Sequence, residues 1–198
     1  MFCGIVEEIG VISGSTGGPQ GARLTIQGTA VHEGLREGES VAVSGVCLTV
    51  TTVNTDRFAV DVSPETLRVT TFGTLSIGAL VNLERSMTLD QRIDGHLVSG
   101  HVDGIGTIVE RNDVGNSIVF QISVDKGIMR HCIVKGSVAV DGVSLTINQI
   151  LRSAFEVAII PHTAEMTTFG SKNVGDSVNI ETDMIGKYIE RLYISSRY

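Results

Sequence analysis

Short stretches of alternating apolar and polar residues, rich in β-branched side chains, run through most of the chain. Arg57-Phe58-Ala59-Val60-Asp61-Val62 and Ala154-Phe155-Glu156-Val157-Ala158-Ile159 repeat with the period of two that a half-buried strand requires. Ser40-Val41-Ala42-Val43 and Cys47-Leu48-Thr49-Val50-Thr51 flank a Ser44-Gly45 turn, with β-branched residues on both arms. Gly34, Gly38, Gly45, Gly73 and Gly78 fall near predicted strand ends. Pro64 follows a strand and opens a short helical turn over Pro64-Glu65-Thr66-Leu67-Arg68, because proline suits a first helical position. Only the C-terminal end has a sustained helical period: Asp183 caps a run in which Ile185, Ile189 and Leu192 recur on one face, widened by Tyr188. A helix this short is marginal alone and must pack on something, either its own domain or another subunit.

The pattern occurs twice. Residues 40–84 align without a gap on residues 137–181, an offset of 97, and 20 of 45 positions are identical. Average residue usage would give about 3. Gly4-Ile5-Val6-Glu7-Glu8-Ile9-Gly10 likewise aligns on Gly100-His101-Val102-Asp103-Gly104-Ile105-Gly106. The chain therefore reads as a first copy over residues 1–96, a second over 97–184 and a helical tail over 185–198. The copies meet around Thr88 to His96, where polar residues and Gly95 break the strand pattern. Many short strands at this spacing predict a small all-β barrel or sandwich for each copy.

Composition bounds the function. With 42% hydrophobic and 19% charged residues the chain is an ordinary globular sequence, not a disordered one. A net charge of −7 argues against nucleic acid as a partner. No apolar run approaches the roughly 18 residues of a membrane span, and MFCGIVEEIG lacks the features of a signal peptide. Cys3, Cys47 and Cys132 are odd in number and widely spaced, which predicts no disulfide framework and a reducing, cytoplasmic setting. His32, His96, His101, His131 and His162 form no HxxxH or HExxH pattern, so no metal site is expected.

Chemistry is sought where the copies differ. Cys47 aligns with Ser144, Ile5 with His101, Ser44 with Asp141 and Ser86 with Asp183. Two reactive side chains at matched sites in opposite copies suggest two related pockets with unequal tasks. Gly-x-Cys-Leu-Thr and Gly-x-Ser-Leu-Thr each offer a thiol or hydroxyl and backbone groups along a strand, suited to a flat, amide-rich heterocycle. The plainer alternative is that Thr49 and Thr146 fill ordinary strand positions.

At MFCGIVEEIG, SGVCLTV (44–50), GHLVSGHVDG (95–104), KGSVAVDGVSLTIN (135–148) and the closing NIETDMIGKYIERL, the sequence resembles the riboflavin synthase family of lumazine-binding proteins. The resemblance spans essentially the whole chain. It implies two tandem six-stranded Greek-key β-barrels and a C-terminal helix that joins three subunits into a homotrimer. It also implies that each barrel binds one 6,7-dimethyl-8-ribityllumazine, with the working site between the first barrel of one subunit and the second barrel of a neighbour. The implied reaction is a dismutation: a four-carbon unit passes between two lumazines, giving riboflavin and 5-amino-6-ribitylaminouracil, with no metal and no separate cofactor. A lumazine synthase is a candidate physical partner or a metabolic neighbour.

By the same resemblance, Cys47 and His101 are the foremost catalytic candidates, followed by Ser144, Thr146 and Asp183. His101 would move the 7-methyl proton, and Cys47, a water or a hydroxyl would add to C7 of the partner lumazine. Gly4, Ile5, Val6, Cys47, Leu48, Thr49, Asp61, Val62, Ser63, Pro64, Glu65 and Thr66 are expected to line the first pocket. Gly100, His101, Val102, Lys135, Ser144, Leu145, Thr146, Ala158, Ile159, Ile160, Pro161, His162 and Thr163 are expected to line the second. Phe2 and Ser40 join the substrate-binding set. Departures from the family pattern at Cys3, Ser44 and Asp94 remove no group this chemistry needs. The rival function is a non-catalytic fluorescent antenna that binds lumazine or flavin. Such relatives tend to lose the cysteine of Gly-x-Cys-Leu-Thr, which Cys47 retains here. A structural all-β module with a multimerising helix explains the fold but not both pocket motifs.

Overall fold

A computed structural model describes residues 1–195. The first copy supplies β1 (Glu8–Gly18), β2 (Gly21–Gln27), β3 (Ser40–Val43), β4 (Val46–Val53), β5 (Arg57–Val62), the short helix α1 (Pro64–Val69) and β6 (Leu80–Arg85). The second supplies β7 (Gly104–Val114), β8 (Ser117–Ser123), α2 (Lys126–Met129), β9 (Ser137–Val140), β10 (Val143–Ile150), β11 (Ala154–Ile159), α3 (Pro161–Met166) and β12 (Ser177–Thr182). Helix α4 (Met184–Ser195) follows.

Each copy closes into an antiparallel barrel, in the neighbour order β1-β2-β5-β4-β3-β6 and its counterpart β7-β8-β11-β10-β9-β12. In the first, β3, β4 and β5 run as successive hairpins and β2 returns beside β5, which is a Greek key. Pairing of β6 with both β1 and β3 closes the ring and rules out a sandwich. Bulges between Ile12 and Gly14 and between Ile108 and Glu110 sit at the same place in the two barrels and bend the long first strand of each. Inward-facing Ile12, Ile26, Phe58, Val60 and Leu83 fill one barrel, and Ile108, Phe120, Ile122, Phe155 and Ile180 the other, all fully buried.

The β3–β4 turn explains why the barrels meet so closely. Ser44 and Gly45 both adopt positive φ (42° and 79°), as do Asp141 and Gly142 (45° and 80°), the geometry of a two-residue hairpin turn matched to strand twist. The two turns lie back to back. A Cβ on Gly45 would fall 2.6 Å from the Gly142 nitrogen, and one on Gly142 would fall 2.7 Å from the Gly45 nitrogen. Glycine is required at both positions by conformation and by contact.

The predicted Asp183 cap forms, and α1 gains a cap of its own. Ser63 Oγ accepts the Thr66 N–H of α1 at 3.1 Å, and Asp183 Oδ1 accepts the Ile185 N–H of α4 at 3.0 Å. Helix α4 turns its polar side toward the second barrel: Glu190 contacts His131 at 2.7 Å and Arg130 at 3.3 Å, and Lys187 contacts Asp103 at 2.6 Å. Its apolar stripe faces outward, with Ile185, Tyr188, Ile189 and Leu192 all more than half exposed. The last three residues of the expected helix, 196–198, lie outside the described residues. Among the described residues, no helix is long and apolar enough to cross a membrane.

Candidate active site

Two extended arms, residues 1–6 before β1 and residues 97–102 before β7, cross the junction between the barrels. They pair antiparallel through Phe2 and Val98, each N–H donating to the other's carbonyl at 2.8 and 3.0 Å. Each arm then lies on the barrel that it does not enter. The Gly100 carbonyl accepts the Cys47 N–H at 2.9 Å, and the Gly4 carbonyl accepts the Ser144 N–H at 2.8 Å. Val102 packs on the core of the first barrel and Val6 on that of the second.

This exchange corrects the expected grouping of the pockets. Gly4, Ile5 and Val6 belong with Ser144, and Gly100, His101 and Val102 belong with Cys47. The cause is steric as well as topological. Gly4 and Gly100 sit at φ 77° and 80°, and a Cβ on Gly4 would fall 2.6 Å from Ser144 Cβ. A Cβ on Gly100 would collide with Cys47. Only glycine lets each arm lie flat on the facing strand.

On the first barrel, Cys47 is half-buried on β4, with Phe2 packed behind it. Ser40 and the exposed Thr49 are paired neighbours, and His101 is exposed beside Gly100. Asp61 and Glu65 are engaged in surface ion pairs with Arg23 (2.7 Å) and Arg68 (2.6 Å), whose hydrogen bonds hold both carboxyls below their ordinary range. Thr66 bonds Ser63, and Pro64 begins α1.

On the second barrel, Ser144 Oγ lies 2.7 Å from His96 Nδ1. Thr146 is exposed and pairs with Ser137. Lys135 holds φ 66°, where its first-copy counterpart is Gly38, and its Nζ donates to Asn148 Oδ1 at 3.1 Å. Ile160, Pro161 and His162 are exposed at the start of α3, with Thr163 and Ala158 half-buried beside them. Asp183 caps α4, and its charge also acts on His96. Phe2, Leu48, Val62, Leu145 and Ile159 are at most 9% exposed, with their side chains in core clusters, which leaves their backbone groups rather than their side chains for a ligand.

His96 is the residue that sequence reasoning missed. It stands in the same Gly-His segment as His101, but it lacks a counterpart that would set it apart as a gain of one copy. Burial pushes its imidazole below the ordinary value, and the nearby Asp183 and Glu181 charges oppose that shift. Burial also pushes the Cys3 and Cys132 thiols up to about 11. Among the described residues no group of His, Cys, Asp and Glu is placed to hold a metal ion.

The chain thus folds as two tandem closed barrels with matched, arm-covered strands, and the lumazine binding domain family matches residues 3–86 and 99–183, one match for each barrel. The riboflavin synthase of Actinobacillus pleuropneumoniae is 44% identical over 194 residues, covering 98% of this chain and 90% of its own length. That of Mycobacterium tuberculosis is 46% identical over 200 residues, covering 99% and 100%. The chain belongs to the riboflavin synthase family. A crystal structure of LumP complexed with riboflavin shares the fold, with a TM-score of 0.86 over 92% of this chain and 100% of that one, at 24% identity.

Proposed function

We infer that this chain catalyses the riboflavin synthase reaction, converting two molecules of 6,7-dimethyl-8-ribityllumazine into riboflavin and 5-amino-6-ribitylaminouracil. The single observation that carries the reading beyond family membership is the arm exchange. It groups His101 with Cys47 on the first barrel and His96 with Ser144 on the second, and this pairing supports two related sites for a reaction between two identical substrates.

The chemistry asks little of the protein. The 7-methyl protons of a lumazine are acidic because the carbanion delocalises into the ring. A positioned weak base therefore suffices, with hydrogen bonds to the developing anion. His101 takes that proton. Addition at C7 of the partner lumazine by Cys47, a water or a hydroxyl activates it for the new bond, and holding the two rings together supplies much of the remaining acceleration. Ser144 and Thr146 on β10 and Lys135 near its edge hold the second lumazine.

The outward apolar stripe of α4 supports assembly through that helix into a homotrimer. Its polar side is already committed to its own barrel, which leaves the apolar side for a copy of itself. Three unpaired cysteines, two of them buried, support a reducing compartment, the cytoplasm.

Mixing the purified protein with 6,7-dimethyl-8-ribityllumazine and following absorbance and fluorescence tests the reading. Riboflavin and the diaminouracil appear in equal amounts. Ligand binding without riboflavin would instead make the chain an antenna protein, and absence of binding would overturn both.

A further inference from the structure

We propose that the buried carboxylates Glu84 and Glu181 are positioning residues: each holds the arm that enters its own barrel so that the arm's glycine is presented to the ligand strand of the opposite barrel, an inference that rests on the function proposed above. Glu181, on β12, accepts the Ser99 N–H (2.7 Å) and Ser99 Oγ–H (2.6 Å) on one oxygen and the Gly100 N–H (2.9 Å) on the other. Glu84, on β6, accepts the Cys3 N–H (2.7 Å) and thiol (3.2 Å), and both of its oxygens lie 3.1 Å from the Gly4 nitrogen.

Each carboxylate thus grips the backbone at the residue whose carbonyl binds the facing pocket strand. Glu181 holds Gly100, which binds Cys47, and Glu84 holds Gly4, which binds Ser144. His101 is the residue immediately after the gripped Gly100. Both carboxylates are 4% exposed, and neither forms an ion pair with a lysine or arginine among the described residues. Burying a charge with only N–H, O–H and S–H partners is costly, and apolar packing would pin a purely structural arm with less penalty. What a carboxylate adds is direction: two oxygens fix two successive N–H groups at once. An amide has one acceptor oxygen, and its NH₂ would face a backbone N–H.

The test compares Glu181→Gln with Glu84→Gln in the full chain. The readouts are turnover of 6,7-dimethyl-8-ribityllumazine and the rate at which iodoacetamide alkylates Cys47, located by peptide mass. Glu181→Gln is expected to lower kcat about 10- to 100-fold, the scale of a small misplacement of reacting groups. It is also expected to change Cys47 alkylation several-fold, because the Gly100 cover is released. Glu84→Gln is expected to lower kcat while changing Cys47 alkylation less than Glu181→Gln does, since its arm lies on Ser144 and reaches Cys47 only through Phe2. Equal effects of the two variants on Cys47, or no effect of Glu181→Gln on it, overturn the proposal. So does unchanged kcat in both variants where the unmodified protein makes riboflavin. Failure of the unmodified protein to make riboflavin overturns the functional reading instead, and the Cys47 readout still decides the docking role. Should Glu181→Gln not fold, Ser99→Ala removes one of the three bonds and must move both readouts in the same direction by less.

Discussion

Asn82 and Asn179 exchange hydrogen bonds across the junction of the barrels. Asn82 donates to the Asp141 carbonyl at 2.9 Å and accepts the Thr168 N–H at 2.8 Å, while Asn179 donates to the Ser44 carbonyl at 2.9 Å and accepts the Thr71 N–H at 2.8 Å. Both side chains are buried, so each barrel supplies the polar partners that the other lacks. The two copies thereby share one buried polar seam.

Replacing either asparagine by alanine leaves a carbonyl and an N–H of the facing barrel buried without a partner. Each such group costs about 1–3 kcal/mol, so Asn82→Ala and Asn179→Ala should each lose about 2–6 kcal/mol of stability. Urea unfolding curves measure this. A loss below about 0.5 kcal/mol, within the range of an ordinary surface change, would show that the bonds do not carry the junction.

Thiol chemistry should single out one cysteine. Cys3 and Cys132 are buried with thiols pushed up to about 11, whereas Cys47 is half-buried. Because the thiolate is the reacting species, iodoacetamide at pH 8 should modify Cys47 well before the other two. Peptide mass mapping over time checks the order.

Asp141 is fully buried, and burial raises its carboxyl above the ordinary 3.8, against the pull of Lys172 at 3.2 Å. The folded state therefore binds the proton more tightly than the unfolded chain does. This group's favourable contribution is complete below pH 3.8 and is lost as pH rises through the folded value. Asp141→Asn removes that dependence while retaining an oxygen for the Asn179 N–H. The stability of the variant relative to the parent should rise with pH across this acid window and then level off. Denaturant titrations at several pH values decide it. A flat difference would remove Asp141 from the acid response.

The strands, turns and the α4 cap were legible because each is a local matter: Phe58 and Val60 alternate within one strand, and Ser44-Gly45 suits only a tight turn. The repeat also pointed to paired pockets at Cys47 and Ser144. What the sequence could not convey was which arm covers which barrel, since an offset equates Gly4 with Gly100 without saying where either docks. That depends on Phe2 pairing with Val98 and on the Glu84 and Glu181 grips, contacts between residues some 80 to 100 positions apart. The direction of α4 was open for the same reason, because Glu190 finds His131 only in the folded chain.

Lys135 offers a separation of stability from binding. Its φ of 66° is a left-handed conformation that costs a residue with a Cβ roughly 1–2 kcal/mol, and Gly38 occupies the equivalent place in the first barrel. Lys135→Gly removes that strain but gains freedom in the unfolded chain, so its stability should be unchanged or higher by up to about 1 kcal/mol. Lys135→Ala retains the strain. If the ammonium group binds the second lumazine, both variants weaken ligand binding alike, as fluorescence titration would show. Weaker binding in only one of them would trace the effect to the backbone.

His96 and Ser144 should act as one unit in the second pocket. Their 2.7 Å contact joins a half-buried imidazole to a hydroxyl on β10, and burial pushes the imidazole below its ordinary 6.5. As its Nε2–H tautomer, neutral His96 accepts the serine proton at Nδ1 and so fixes the direction of the hydroxyl. Protonated His96 can only donate, which turns the hydroxyl proton away. The organised pair is therefore complete above pH 6.5 and is lost as pH falls through the lower folded value, so kcat/KM should decline on the acid side of 6.5. In His96→Gln that decline should weaken or vanish. Groups that work through one contact are not additive, so His96→Gln and Ser144→Ala should each slow turnover, and the double variant should be little slower than the worse single one. The expected coupling is about 0.5–3 kcal/mol. Strictly multiplicative rate losses would mean that the two side chains contribute separately, and His96 would then have no part in orienting Ser144.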